Sequence, residues 1–181
     1  MPFKKQSVAD VAFLIPLDEL RNTPSVDFHY LPLDFVKEIN AIDRVEHAVG
    51  AFSPVAKNVS VKRPWYMHPN QEDNLLVLNG TREINLYTVK HGKIETFEVS
   101  PSLIKHEGEI IFEGPALLGW GTHVFHRVHS PQGSISINFA RHFEGFGIDT
   151  NFNIYDLNTD TGSFSMIRAG HLDQPVIDIG E

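Results

Sequence analysis

Proline and glycine break this chain at short intervals, and the stretches between them are short and rich in Val, Ile, Phe and Leu. That pattern predicts an all-β sandwich or barrel. From Phe52 onward strands are expected over 55–61, 63–68, 74–78, 83–89, 93–99, 109–112, 124–128 and 134–141, with a turn at His91-Gly92. The last of these alternates strictly through Ser134, Ile135, Ser136, Ile137, Asn138 and Phe139, as a half-buried strand should.

At 181 residues the chain suits one domain with a proper core. We divide it into an N-terminal arm and helix (1–51), a barrel core (52–145) and a C-terminal hairpin extension (146–181). Residues 1–35 read as an irregular or partly extended arm. Residues 33–48 are the one good helix candidate, with Asp34 to cap it, Gly50 to end it, and Val36, Ile39, Ile42 and Val45 on one face. Around the turn residues 158–162, segments 153–157 and 163–167 read as a hairpin.

A net charge of −8 and a pI near 5.6 disfavour nucleic acid and anionic membranes as partners. There is no Cys, so disulfides and thiolate metal sites are excluded. No apolar run is long enough to span a bilayer, and the expected setting is cytoplasmic. The chain has ten His. Of these, His47, His91, His106 and His171 sit among charged or turn residues and are expected to be exposed; surface exposure is also expected for His129.

The stretch from Met67 to Gly80 carries the strongest chemical signal. His68 ends one strand, a polar turn follows, and Asp73 opens the next strand. Neither an imidazole nor a carboxylate is normally buried without a partner. A divalent metal would satisfy both, and with imidazole and carboxylate donors Fe, Mn, Ni or Zn would suit.

Residues 63 to about 141 resemble the cupin superfamily. The family's first motif is His-x-His, then Glu, then Gly. Aligned on Gly80, Asp73 falls at the Glu and His68 at the second His, while Tyr66 occupies the first. The second motif begins at Gly108-Glu109-Ile110-Ile111-Phe112, departs through 114–120, and resumes at 121–128. There His126 takes the place of the motif histidine and His123 that of a glycine. The resemblance implies an all-β cupin-type double-stranded β-helix, or jelly-roll barrel, and by analogy a homodimer.

On that resemblance His68, Asp73 and His126 are the candidate metal ligands, with Glu72 and His123 as the alternatives. Glu72 shares strand parity with Asn74, Leu76 and Leu78 and should face away. Tyr66 is the candidate catalytic residue, either as a phenolate ligand or as an acid/base beside the metal; a third reading has it filling the barrel, hydroxyl satisfied by Asp73. His123, Arg63, Asn138 and Trp120 are candidate substrate contacts, and Arg141 and His142 are weaker ones. Segment 114–121, apolar and bounded by glycines, reads as a loop over the barrel mouth. Together these imply a small metal-dependent enzyme, a dioxygenase, isomerase or lyase acting on a small organic molecule. The alternative is a non-enzymatic cupin that binds or senses a small ligand, with or without metal.

Overall fold

The structure is a computed structural model and describes residues 6–31, 34, 38–57 and 60–174. Its N-terminal third contributes β1 (Gln6–Val8), β2 (Ala12–Pro16), β3 (Asp18–Thr23), β4 (Val26–Tyr30), β5 (Ala41–His47) and β6 (Ala51–Ser53). Then come β7 (Trp65–Met67), β8 (Gln71–Gly80), β9 (Arg82–Tyr87), β10 (Glu95–Ser100), β11 (Leu103–His106) and β12 (Glu109–Glu113). The remainder holds β13 (Ala116–Trp120), β14 (Phe125–Ser130), β15 (Ser134–His142), the short helix α1 (Ile148–Asn151), β16 (Ile154–Leu157) and β17 (Phe164–Arg168). No helix among the described residues is long and apolar enough to cross a membrane.

Two antiparallel sheets face one another. One has six strands in the order β1-β2-β13-β8-β15-β5; the other has nine, ordered β12-β11-β10-β9-β14-β7-β16-β17, with β6 also paired to β14. The pleat decides what lies between them. In β8, Gln71, Asp73, Leu75 and Val77 are buried, and in β15 so are Ser134, Ser136, Asn138 and Ala140. From the other sheet Ile84, Leu86, Phe97 and Val99 meet Leu14, Leu75 and Val77 in the main core. Each such fully buried side chain is worth about 1.5–3 kcal/mol. Inward residues elsewhere on β5, β8, β14 and β15 include the polar Asp43, His47, Gln71, Asp73, His126 and Asn138, and there the interior stays open as a cavity. The hairpin β16–β17 joins the larger sheet through β7 and buries Tyr155 and Leu157 against Trp65, Met67 and Phe125.

Four expectations are corrected. Residues 41–47 form β5, an edge strand in register with β15 from Ala41↔Ala140 to His47↔Ser134, and not part of a helix; positions 33 and 35–37 lie outside the described residues. The apparent helical face misled because Ile42 points outward at 67% exposure, while Asp43, Val45 and His47 line the interior. The N-terminal arm supplies β1 and β2 to the six-stranded sheet, and β3 and β4 form a two-stranded sheet of their own. Residues 55–57 are not a strand, and 58–59 lie outside the described residues.

The fourth correction is the expected lid. Residues 116–120 are β13, buried at every position between β2 and β8. A continuous apolar run is what a strand covered on both faces requires. Gly119 lies in it because a Cβ there would come within 2.2 Å of the Phe13 ring and 2.9 Å of the Asp73 carbonyl.

His91 and His106 are not free on the surface. Both bond the buried Glu95, each at 2.7 Å. Burial pushes that carboxyl up, but His91, His106 and Lys93 outweigh it and hold Glu95 down to about 2. His129 bonds Glu83 at 2.8 Å and stacks on Phe52, and His171 is exposed.

Candidate metal centre

The cavity inside the barrel has a volume of 280 Å³, and its walls include Tyr66, His68, Asp73, Trp120, His126 and Asn138. β7 ends just before His68, so Tyr66 and His68, two apart, project to one face. Asp73 points inward from β8. His126, on β14, lies directly opposite Tyr66.

Ligand atoms of His68, Asp73 and His126 all lie within 4.8 Å of one another, and all three residues are buried. His68 donates through Nδ1 to the Asn151 carbonyl at 2.5 Å, and His126 through Nδ1 to the Val124 carbonyl at 3.1 Å. Each bond fixes the neutral tautomer whose free Nε2 lone pair can face the centre. His68 Nε2 is 3.8 Å from Asp73 Oδ2. Asp73 Oδ1 accepts from Gln71 Nε2 at 2.6 Å and Asn138 Nδ2 at 2.7 Å, whereas Oδ2 is buried with no partner.

A buried carboxylate oxygen without a donor is costly. Here it faces an imidazole nitrogen whose other side is already committed to a carbonyl. A divalent cation would satisfy all three groups at once, so the donor set fits such an ion. Burial, then the proximity of His68, lowers His126 to about 4, so its imidazole is neutral at pH 7.

Tyr66 stands beside the two rings, its centroid 6.0 Å from His68 and 5.9 Å from His126, which are 4.6 Å from each other. Burial, and next the charge of Asp173, push its hydroxyl up; Ser53 and Arg168 oppose this without cancelling it. Tyr66 is therefore a neutral phenol here. Asp73 does not satisfy it, since the Asp73 oxygens have only the partners given above. Asn138 also accepts from the Asn74 backbone N–H and reaches Asp43 at 3.3 Å. Trp120 packs 5.2 Å from His126 and carries a buried Nε1 with no acceptor.

Several expected contacts lie elsewhere. His123 is exposed in the turn between β13 and β14, at φ 63°, with its N–H on the His68 carbonyl; this turn aims it out and lets His126 in. It lines a separate outer groove of 860 Å³ together with Glu72. Arg63 stacks on Phe52 outside the barrel. Arg141 stacks on Phe143 and pairs with Glu38, and His142 stacks on Phe146.

The cavity residues that went unread in the sequence include Asp43, His47, Gln71, Arg82 and Phe152. Gln71 and Arg82 carried a signal, because they share strand parity with Asp73 and with Ile84 and Leu86. Asp43 and His47 were hidden by the helix assignment. Phe152 follows α1 and has no periodicity to reveal it.

His47 leads to a pH prediction. Burial, then the charge of Arg82, lowers it to about 4. Both His47 and His126 are thus neutral when folded, while an unfolded histidine binds a proton below about pH 6.5. The unfolded chain then holds more protons, so stability is full above that pH and falls as pH drops toward 4. Urea midpoints measured without metal at pH 7.5 and pH 5 should show the decline, and His47→Gln should make it shallower. Equal midpoints would contradict it.

No protein-family model matches the chain, and no curated protein matches its sequence. Solved structures match its fold. A dTDP-4-dehydrorhamnose 3,5-epimerase from Sulfolobus tokodaii aligns with a TM-score of 0.56 at 17% identity, covering 81% of this chain and 78% of that one. The sugar 3,4-ketoisomerase QdtA from Thermoanaerobacterium thermosaccharolyticum, solved with TDP, aligns at 0.51 and 14% identity over 73% and 81%. The chain has the cupin fold. A third neighbour, a dTDP sugar isomerase from Desulfovibrio desulfuricans G20, gives 0.52 at 14% identity over 74% and 80%. At such identities the likeness concerns the fold.

Proposed function

We propose that this cupin is an isomerase-type enzyme that moves a proton next to a carbonyl in a small polar substrate, using a divalent metal held by His68, Asp73 and His126. One observation carries the reading: the unpartnered Asp73 Oδ2 buried against two oriented imidazoles. The sugar isomerases and epimerases among its structural neighbours support the reaction class. When bound, the metal would supply Lewis-acid polarisation of the carbonyl oxygen.

The chain's own groups do the rest. Asn151 and Val124 orient the two imidazoles, and Gln71 and Asn138 fix the Asp73 carboxylate. Tyr66 Oη, kept protonated by burial, donates to the substrate oxygen as the carbonyl becomes an enol. Asp43, the cavity carboxylate outside the cluster, takes the C–H proton. The reverse transfers at the neighbouring carbon restore a carbonyl. Trp120 and Phe152 wall the site and limit water. In this reading the protein is cytoplasmic and a homodimer, with the apolar Leu20, Val26, Phe28 and Tyr30 of the β3–β4 sheet, all exposed, available to a second copy.

Tyr66 at the first motif histidine favours one rival: a metal-free cupin that only binds a ligand through His68, Asp73 and Tyr66. Elemental analysis separates the two. Purified wild-type protein is expected to carry about one metal per chain, and His68→Ala almost none. A metal-free wild type that ignores added Fe, Mn, Ni and Zn would sink the metal reading.

A further inference from the structure

The cavity does not stop at the metal centre. Arg82 enters it from β9 and is 3% exposed. Its Nε donates to Ser134 Oγ at 2.9 Å and its Nη2 to the Val45 carbonyl at 3.2 Å. Both partners are neutral. No carboxylate among the described residues pairs with it. A buried guanidinium normally has an anion beside it, because neutral hydrogen bonds do not replace the lost hydration of the charge.

The register places this cation. Val45 lies opposite Ser136, and Asp43 opposite Asn138, the residue that holds the Asp73 carboxylate. The guanidinium therefore reaches a level one inward step, about 7 Å of strand, from Asn138. Ser136, on that same level, has a buried hydroxyl with no partner. Ser130 and the neutral His47 complete the surroundings, with His47 Nδ1 2.9 Å from Ser130 Oγ.

We propose that Arg82 receives the carboxylate of the substrate, so that the molecule turned over is a small carbonyl-bearing organic acid. This rests on reading the metal centre as the catalytic site. One guanidinium with neutral hydroxyls matches a monoanion, and a bidentate carboxylate uses its planar fork. A phosphate dianion would call for further cations or backbone N–H groups, whereas the other acidic wall residues are Asp43 and Asp73. The cavity of 280 Å³ also suits a molecule of sugar-acid size.

The test is calorimetric titration of the purified protein with acids and their neutral amides: pyruvate against pyruvamide, and glucuronate against glucuronamide. At least one acid is expected to bind about tenfold or more tightly than its amide. Arg82→Gln should close that gap, and Arg82→Lys should keep part of it, with metal content unchanged in both. Three results overturn the proposal: no preference for the acid in either pair, a preference that survives Arg82→Gln, or tighter binding of glucose 6-phosphate than of glucuronate. Where Arg82→Gln fails to fold by circular dichroism, the wild-type acid–amide comparison decides alone. A metal-loaded protein without acid preference refutes this subsite only. An Arg82-dependent preference in a metal-free protein refutes the metal centre only.

Discussion

Asp73→Asn should stabilise the metal-free protein while abolishing its response to metal. An asparagine keeps the oxygen that accepts from Gln71 and Asn138. Its amide replaces the unpartnered Oδ2 and offers an N–H toward the lone pair of His68 Nε2. Removing a buried oxygen that has no donor is worth about 1–3 kcal/mol, or roughly 3–10 °C in a chain of this length. Metal binding works the other way. A carboxylate ligand is lost, so the variant should gain nothing from added ion, while the wild type gains about 2.7 kcal/mol at a hundredfold excess over Kd. Thermal melts should therefore cross: variant above wild type with chelator, wild type above variant with metal. A variant less stable than wild type under chelation would mean that Asp73 has a partner worth more than its burial costs. Such a trade between stability and site chemistry is common where a site is built from strained or unpaired groups.

Leu117→Ala should be among the most damaging single substitutions in the chain, costing about 2–5 kcal/mol. Leu117 has no exposed surface and packs with Ile15 in the middle of β13. A mobile loop over the barrel mouth would lose almost nothing from the same change, so the urea midpoint separates strand from lid. The effect should reach the site as well. β13 is in register with β8, Trp120 opposite Asp73 and Leu118 opposite Leu75. A slackened β13 should loosen the Asp73 carboxylate and lower metal content along with stability. A shift under about 0.5 kcal/mol, the range of ordinary surface changes, would contradict the buried placement.

Some of this was legible before any coordinates. The turn chemistry and the strict alternation of 134–139 announced strands. The spacing of Tyr66, His68, Asp73 and Gly80 announced that a histidine and an acid would meet across a turn, although the two strands it joins, β7 and β8, lie in different sheets and form no hairpin. Parity alone preferred Asp73 to Glu72, and in the structure Asp73 lines the cavity while Glu72 lines the outer groove. These are local statements, and a strand's two-residue period carries them without knowledge of its neighbours.

Other features were not local. Ala41–His47 has enough apolar residues for a helical face, and it becomes a strand because β15 offers an unpaired edge. Leu117 and Leu118 look the same in a lid and in a strand covered on both sides; only β2 and β8 on either flank decide. Arg63 and Arg141 seemed the cations most suited to a pocket, yet both stack on outer aromatic rings. Arg82 lies inside because it shares parity with Ile84 and Leu86.

The sequence by itself determined the strand class and the residue types able to meet around an ion, since both follow from periodicity and side-chain chemistry; the rolled architecture was implied by the resemblance to cupins. Which histidine turns inward, which arginine is buried, and whether an apolar run covers or belongs to the barrel depended on partners far away in the chain. Hydrogen-bonded neighbours and the backbone turn at His123 set those outcomes, and neither has a signature within the segment it controls.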